Sequence, residues 1–390
     1  MMGLKIIGGT YYEECLDPLD RKLAGSGLRA ACALANKGIE IDFLSFISQK
    51  DKELAETICN SFGINGQFII SEETITFSYK HPLSLPTPYG IIENREFSDK
   101  REENLLFYGL KEANIKTESN YVVYDPQNGI NFRDTGSKAN HLALILNKKE
   151  SQLISKLTDE TDLELIGKSI IASENAEVVV IKNGSHGALV IEPNSINYVP
   201  IFKTTTIWPI GSGDIFSAAF ALKWMIERLP AKDAALYASK STADYCETRV
   251  LPIPVNAVER KPLEKLIKQK RIYLAGPFFD MGQRWFINEC RNILLEFDNN
   301  VFSPLHDSGF GTPESIAPQN IDAIEKSDLI FAILNGKDPG TLFEIGFARA
   351  LNKRAVIFYE NVSQEDLFML VGTGCECFSD FSTAIYSASW

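Results

Sequence analysis

Two short apolar runs, Leu329–Leu334 and Ala355–Tyr359, bracket a stretch with helical spacing, Leu342–Leu351. Each run is strand-length, and a strand–helix–strand unit brings its strands together in parallel with helices covering both faces. Ligands of such sheets sit at the carboxyl ends of the strands. The same rhythm precedes it: a strand at Arg271–Gly276, a helix at Gln283–Phe297, a strand at Asn300–Ser303 and a helix at Asn320–Lys326. The first 250 residues alternate as well. Lys5–Gly8, Glu40–Phe46, Val122–Tyr124, Leu142–Leu146 and Glu177–Ile181 read as strands; Leu28–Lys37, Glu150–Lys156 and Asp214–Glu227 read as helices. A stretch from Gln67 to about Asn94, rich in β-branched residues and prolines, breaks the rhythm and reads as a strand excursion such as a lid. Residues 256–270, proline-bearing and then basic, read as a linker, which divides the chain into domains at 1–255 and 271–390.

Composition sets the class. The 390 residues are 45% hydrophobic and 23% charged, which is globular. The net charge is −12, and the segment from Arg271 to Trp390 holds 8 basic against 16 acidic residues. No basic surface exists for general nucleic-acid binding. No run approaches the length of a membrane span and the amino terminus lacks a signal-peptide layout, so a cytoplasmic protein is expected. Seven scattered cysteines without a CxxC pair argue against disulfides or a zinc site. Four histidines share no metal spacing, and Trp224 and Trp285, among apolar neighbours at helical spacing, read as core.

The densest chemistry is Asp338-Pro-Gly340-Thr341-Leu-Phe-Glu344-Ile-Gly. Thr341-x-x-Glu344 is a capping-box pattern, in which each side chain satisfies a free backbone donor at the helix start. The alternative is a reactive carboxylate that the helix dipole keeps ionised. Upstream, Asn320-Ile-Asp322 and Asp328 bring further acids before a buried strand. Asp328 reads as a turn residue, whereas Asp322 is either a solvated helix residue or part of a site. Ser303 and Thr341 are either local caps or hydroxyls for a phosphate. Phe278, Phe279 and Phe310 either stack on a base or pack in the core.

In order, Ile272-Tyr273-Leu-Ala-Gly276-Pro277-Phe278-Phe, Ser303-Pro, Asp322–Asp328 and Asp338–Arg349 resemble the nucleoside 2-deoxyribosyltransferase family. The resemblance implies a flavodoxin-like parallel-sheet domain needing no cofactor. It implies that Glu344 attacks the anomeric carbon, that Asp338 holds sugar hydroxyls, that Asp322 contacts and protonates the leaving base, and that Tyr273 orients the nucleophile. Gly276, Pro277, Phe278, Ser303, Gly340 and Thr341 would line the substrate site, and a homo-oligomer is expected. Breaking an N-glycosidic bond develops oxocarbenium character that a carboxylate can trap, so the roles are chemically coherent.

The first 250 residues lack GxxxxGK[ST] and GxGxxG patterns. Gly211-Ser212-Gly213-Asp214 instead opens a helix, an arrangement that suits an anion and a neighbouring base, or a plain capped turn. Together with Gly25-Ser-Gly, Asp125-Pro-Gln-Asn, Asn147-Lys-Lys-Glu150 and Lys182-Asn-Gly184-Ser-His-Gly187, it resembles the ribokinase-like (PfkB) kinases, a three-layer α/β fold. The resemblance implies Asp214 as base, an anion hole at Gly211–Gly213, Glu150 organising magnesium, and Gly184 and Gly187 leading to ATP. Three departures stand out. Trp208-Pro-Ile precede the glycines, Glu13 replaces an early aspartate, and Arg29-Ala30 stand where an asparagine is usual. They leave open a domain that binds a nucleoside or nucleotide without phosphorylating it.

The expectation is therefore cleavage of a nucleoside or nucleotide N-glycosidic bond, by transfer or hydrolysis, through a sugar–Glu344 intermediate. The alternatives are a PfkB-type kinase using Asp214, and a nucleotide-depleting defence effector whose first domain is a sensor or assembly module.

Overall fold

The computed structural model describes residues 3–91, 95–99, 101–263 and 269–390. The chain forms two compact units, 1–204 with 208–264, and 205–207 with 265–390. The expected linker at 256–270 includes residues 264–268, which lie outside the described residues. Its described beginning is no free tether. Leu263 N donates to Ile201 O at 2.9 Å, and Arg260 pairs with Asp244 and with Glu247.

The described residues of the first unit build a nine-stranded sheet in the order 195–199, 188–192, 178–182, 138–147, 118–125, 102–108, 3–7, 40–48, 65–71. Its pairings are parallel except at the 178–182, 188–192 and 195–199 meander. One face packs against helices Ser26–Leu34, Ser212–Ala221 and Ala231–Thr248, with Phe43, Ile215, Phe220 and Ala235 in the seam. The other face packs against Leu163–Glu174 through Ile166 and Ile170. This makes the three-layer ribokinase-like α/β unit expected from the sequence. All nine residues of Ser26–Leu34 are buried. The helix crosses strand Gly3–Ile7 so closely that a Cβ on Gly27 would lie 2.7 Å from Gly8 Cα, which explains the glycines and the alanine-rich inner face.

The excursion is real but differently composed. Residues 65–71 extend the main sheet at its edge. Thr76–Tyr79 and Thr87–Tyr89 join Tyr11–Cys15 and Asp20–Ala24 in a separate four-stranded sheet; Asn94 lies outside the described residues. Tyr11–Cys15 and Asp20–Ala24 pair with each other as an antiparallel hairpin across Leu16–Leu19, a four-residue loop without the Asn-Gly or Asp-Gly signature of a two-residue turn, so the sequence did not announce them.

The second unit is a five-stranded parallel sheet in the order 300–302, 271–275, 329–333, 354–358, 376–378. Numbered along the chain this is 2-1-3-4-5, the flavodoxin-like order. Strand order reverses between Arg271–Ala275 and Leu329–Ile333, and the crevice for a ligand lies beyond their carboxyl ends. Strand Leu329–Ile333 is buried throughout, as the uniformly apolar run requires of a central strand covered on both faces. Helix Pro313–Lys326 begins seven residues before the expected start, with Pro313 at its first turn and Pro318 inside it. Trp285, expected in the core, is 44% exposed on helix Met281–Glu296, whereas Trp224 is buried.

Candidate functional site

At the switch point of the second unit, Tyr273, the middle residue of strand Arg271–Ala275, donates from its hydroxyl to Glu344 Oε1 at 2.5 Å. Tyr273 is wholly buried and stacks on Phe302. The Glu344 carboxyl is pushed up to about 7 by burial, while the Tyr273 hydrogen bond opposes the shift, the charge of Asp338 adds to it and an Asn320 hydrogen bond opposes it.

The capping-box reading of Thr341 and Glu344 is corrected by the helix boundary. The helix is Pro339–Ala350, and its N-cap is Asp338. Asp338 Oδ2 accepts from Thr341 N at 2.7 Å and from Thr341 Oγ1 at 2.9 Å. Proline is favoured at the first helical position, so the helix starts three residues before Leu342. Glu344 thereby falls past the first turn, and its carboxylate faces Tyr273 and Asn320 rather than free backbone amides.

Asp322 is corrected as well. On helix Pro313–Lys326, residues two apart point to opposite sides. Asn320 faces Glu344 and its Oδ1 accepts from Ser308 Oγ at 2.7 Å. Asp322 is exposed and pairs with Lys326 at 2.7 Å. Sequence spacing could have shown this: Asn320, Ala323 and Ile324 share the inner stripe, while Asp322 and Lys326 form an i,i+4 ion pair.

Gly276 and Pro277 leave the strand at the same edge, and a Cβ on Gly276 would lie 2.8 Å from Ile287 Cδ1. Phe278 is half-buried and stacks with Phe279, which is exposed. Gly340 lies in the first turn beside Asp338. Ser303 is buried, its N donating to Asp307 Oδ2 and its hydroxyl 3.1 Å from His306 Nδ1. Both candidate phosphate hydroxyls, Ser303 and Thr341, are thus engaged within their own turns.

In the first unit a cavity of about 240 Å³ is lined by Tyr11, Glu13, Phe77, Tyr79, Gln127, Glu150, Gly211, Gly213 and Asp214, among others. Asp214 is buried in the first turn of helix Ser212–Ala221. Its Oδ1 accepts from Gln127 Nε2 at 2.7 Å and its Oδ2 from Arg29 Nη1 at 2.5 Å. Burial raises its pKa and Arg29 opposes the rise. Arg29 is itself buried and also donates to Glu13 and to Tyr245 Oη. Gly211 has φ +82°, and a Cβ there would lie 2.3 Å from the Arg29 guanidinium. Arg29 and Gln127 are site residues that the motif reading did not single out.

Asn147 and Glu150 form a complete capping box, each side chain accepting from the other's backbone amide at 2.8 Å. Burial pushes the Glu150 carboxyl up to about 7, with Asp125 adding to the shift and Lys182 opposing it. Lys182 Nζ lies 3.3 Å from Asp125 Oδ2, and a Cβ on Gly213 would lie 3.3 Å from that ammonium. Ser212 begins the helix. Gly184 and Gly187 shape the connection after strand Val178–Lys182, where Asn183 N donates to Gly187 O at 2.8 Å. Among the described residues, no three His, Cys, Asp or Glu side chains come together to hold a metal, and no helix is long and apolar enough to cross a membrane.

The two units thus define a ribokinase-like domain with an arginine-bridged acid pair and a flavodoxin-like domain with a tyrosine-held glutamate at its switch point. The comparisons with known proteins agree with this division. Residues 272–379 match the family described as nucleoside 2-deoxyribosyltransferase, and residues 110–247 the family described as pfkB carbohydrate kinase, so the chain carries a domain of each. Among solved structures, the chain is similar to ribokinase of Thermotoga maritima (17% identity, 65% of this chain and 96% of that one, TM-score 0.47). It is also similar to a Vibrio cholerae fructokinase bound to fructose, ADP and calcium (16% identity, 64% and 94%, TM-score 0.48). A third is a nucleoside kinase of Methanocaldococcus jannaschii (13% identity, 65% and 95%, TM-score 0.47). The curated proteins gave no match.

Proposed function

We propose that the second unit cleaves the N-glycosidic bond of a nucleoside or nucleotide through a sugar ester on Glu344. The observation that carries this reading is the Tyr273–Glu344 hydrogen bond at 2.5 Å, at the carboxyl edge where strand order reverses. In that reading the Glu344 carboxylate attacks C1′ while the C1′–N bond breaks and its electron pair leaves with the base. Tyr273 fixes the carboxylate, leaving its other oxygen to attack. Asp338, held at the helix start beside Gly340, would meet sugar hydroxyls in this reading. Water or a second base then attacks C1′ and releases the carboxylate. Incubation with 2-fluoro-sugar nucleosides, one carrying a neutral base and one carrying nicotinamide, and intact-mass measurement test it: a mass gain of one fluorosugar with at least one of them is expected, lost in Glu344→Ala. An unmodified protein, or a modified Glu344→Ala variant, overturns it.

For the first unit, the reading favoured is a ligand-binding domain that does not transfer phosphate. Both oxygens of Asp214 are already hydrogen-bonded, one to Gln127 and one to the Arg29 guanidinium, which leaves neither free to take a proton from a hydroxyl. If ATP and magnesium bind, the resemblance assigns the metal to Glu150, one of the carboxylates lining the cavity, with phosphates and water completing the shell. Incubation with ATP, magnesium and a nucleoside panel should yield no ADP; ADP formation that vanishes with Asp214→Asn restores the kinase reading. A cytoplasmic, oligomeric enzyme acting on free nucleosides or nucleotides fits both units.

A further inference from the structure

The place beside the nucleophile where an acid was expected is filled by an amide. Asn320 and Tyr273 are the hydrogen-bond partners of the Glu344 carboxylate. An amide has no proton to give near neutral pH, and burial beside Glu344 holds the Tyr273 phenol well above its ordinary range. Asp338 is occupied at the helix start, and Asp322 faces away into an ion pair with Lys326. Both ring nitrogens of His306 are engaged, with Ser303 and Asn288.

Resting on the Glu344 reading above, we infer that the Asn320–Glu344–Tyr273 arrangement selects N-glycosides whose base is already a cation, the N-ribosyl pyridinium class to which nicotinamide nucleosides and nucleotides belong. A neutral purine or pyrimidine that departs without a proton leaves as an anion, from beside a carboxylate. A pyridinium needs no proton. As Glu344 forms its bond to C1′, the electron pair of the C1′–N bond passes to the ring nitrogen, which becomes a neutral pyridine. One cation and one carboxylate are replaced by a neutral base and a neutral ester. In a half-buried site, removing both charges together is favourable, because neither is well solvated there. The surroundings also suit a cation. Phe278 and Phe279 form a stacked pair on the segment leaving strand Arg271–Ala275, with the Phe279 ring exposed, and aromatic faces attract cationic rings. The 16 acidic residues against 8 basic ones from Arg271 onward make the domain's field negative.

The test follows base release by chromatography from the full-length protein with nicotinamide riboside, nicotinamide mononucleotide and NAD, beside adenosine, uridine and their 2′-deoxy counterparts. At least one of the three pyridinium substrates should release nicotinamide about 100-fold or more faster than the neutral nucleosides release their bases, the scale of a missing general acid. Asn320→Asp, which supplies a carboxylic acid sharing a proton with Glu344, should raise the neutral-nucleoside rate about tenfold or more and narrow that ratio. Neutral nucleosides cleaved as fast as the pyridinium ones, with the rate lost in Glu344→Ala, overturn this inference and leave the Glu344 reading standing. No release from any substrate overturns both.

Discussion

Arg29 Nη1 lies 2.5 Å from Asp214 Oδ2, and the same guanidinium also binds Glu13, so one buried cation ties together two buried carboxylates that lie far apart in the chain. Removing one partner of such a pair is costlier than never building it, because a charge is left unpaired in the interior. Arg29→Met is therefore expected to destabilise the first unit by about 3 kcal/mol or more at neutral pH. The loss should shrink as pH falls, since the orphaned Asp214 carboxyl, already raised by burial, then takes up a proton. Urea denaturation at two pH values checks both statements. A variant as stable as the parent at neutral pH would show that the bridge is not what holds the acids.

Asp322 provides a contrasting case. Its carboxylate is exposed and its only described partner is Lys326, one turn away, a pairing worth little in water. Asp322→Asn should leave base release within about twofold of the parent, because no charge near Glu344 changes. A loss of a hundredfold or more in steady-state rate would restore the role that the family resemblance implied for Asp322 and would require the helix face to be turned in the working enzyme.

The turned-out Asp322 and the helix start at Asp338 show where the sequence was readable and where it was not. Strand-length apolar runs such as Leu329–Ile333 and Arg354–Phe358 announced a parallel sheet, whereas its 2-1-3-4-5 order came only with the flavodoxin-like fold that the resemblance implied, and the three-residue edge strand Glu376–Phe378 carried no such run. Tyr273 and Glu344, 71 residues apart, could be paired only by resemblance, since their contact depends on a strand and a helix meeting. Asn320 was hidden because amides in helices carry no chemical signature, and acids drew the eye to its neighbour. Arg29 was visible only as a missing asparagine, since a lone arginine in an alanine-rich helix does not announce its partners. The strands at 11–24 were missed because their hairpin closes over Leu16–Leu19, a four-residue loop without a two-residue turn signature, and because the further partner of Tyr11–Cys15, residues 76–79, lies far off in the chain.

Asp338 has two separable duties. As N-cap it satisfies Thr341 N, a service asparagine performs nearly as well and alanine does not. Asp338→Ala should cost about 1 kcal/mol of stability, and Asp338→Asn only a few tenths. If the carboxylate also holds sugar hydroxyls, both variants should raise KM. Thermal denaturation beside steady-state kinetics distinguishes the duties: an unchanged KM in Asp338→Asn would confine the residue to capping.

The carboxyl of Glu344 titrates near 7, so the ionised nucleophile is only part of the population at neutral pH. Its raised value means that the reactive form is lost as pH falls, and kcat/KM should climb between about pH 6 and 8 before levelling, reporting the free enzyme. The Tyr273 hydrogen bond favours the ionised form and holds the value down. Tyr273→Phe should therefore move the rising limb to higher pH, so that the variant loses more activity at pH 6 than at pH 8.5. Both effects come from one pair of atoms 2.5 Å apart, and a pH profile of kcat/KM for the two proteins measures them together. A limb that stays in place in Tyr273→Phe, with a uniformly lower rate, would mean that the hydroxyl positions the carboxylate without setting its charge.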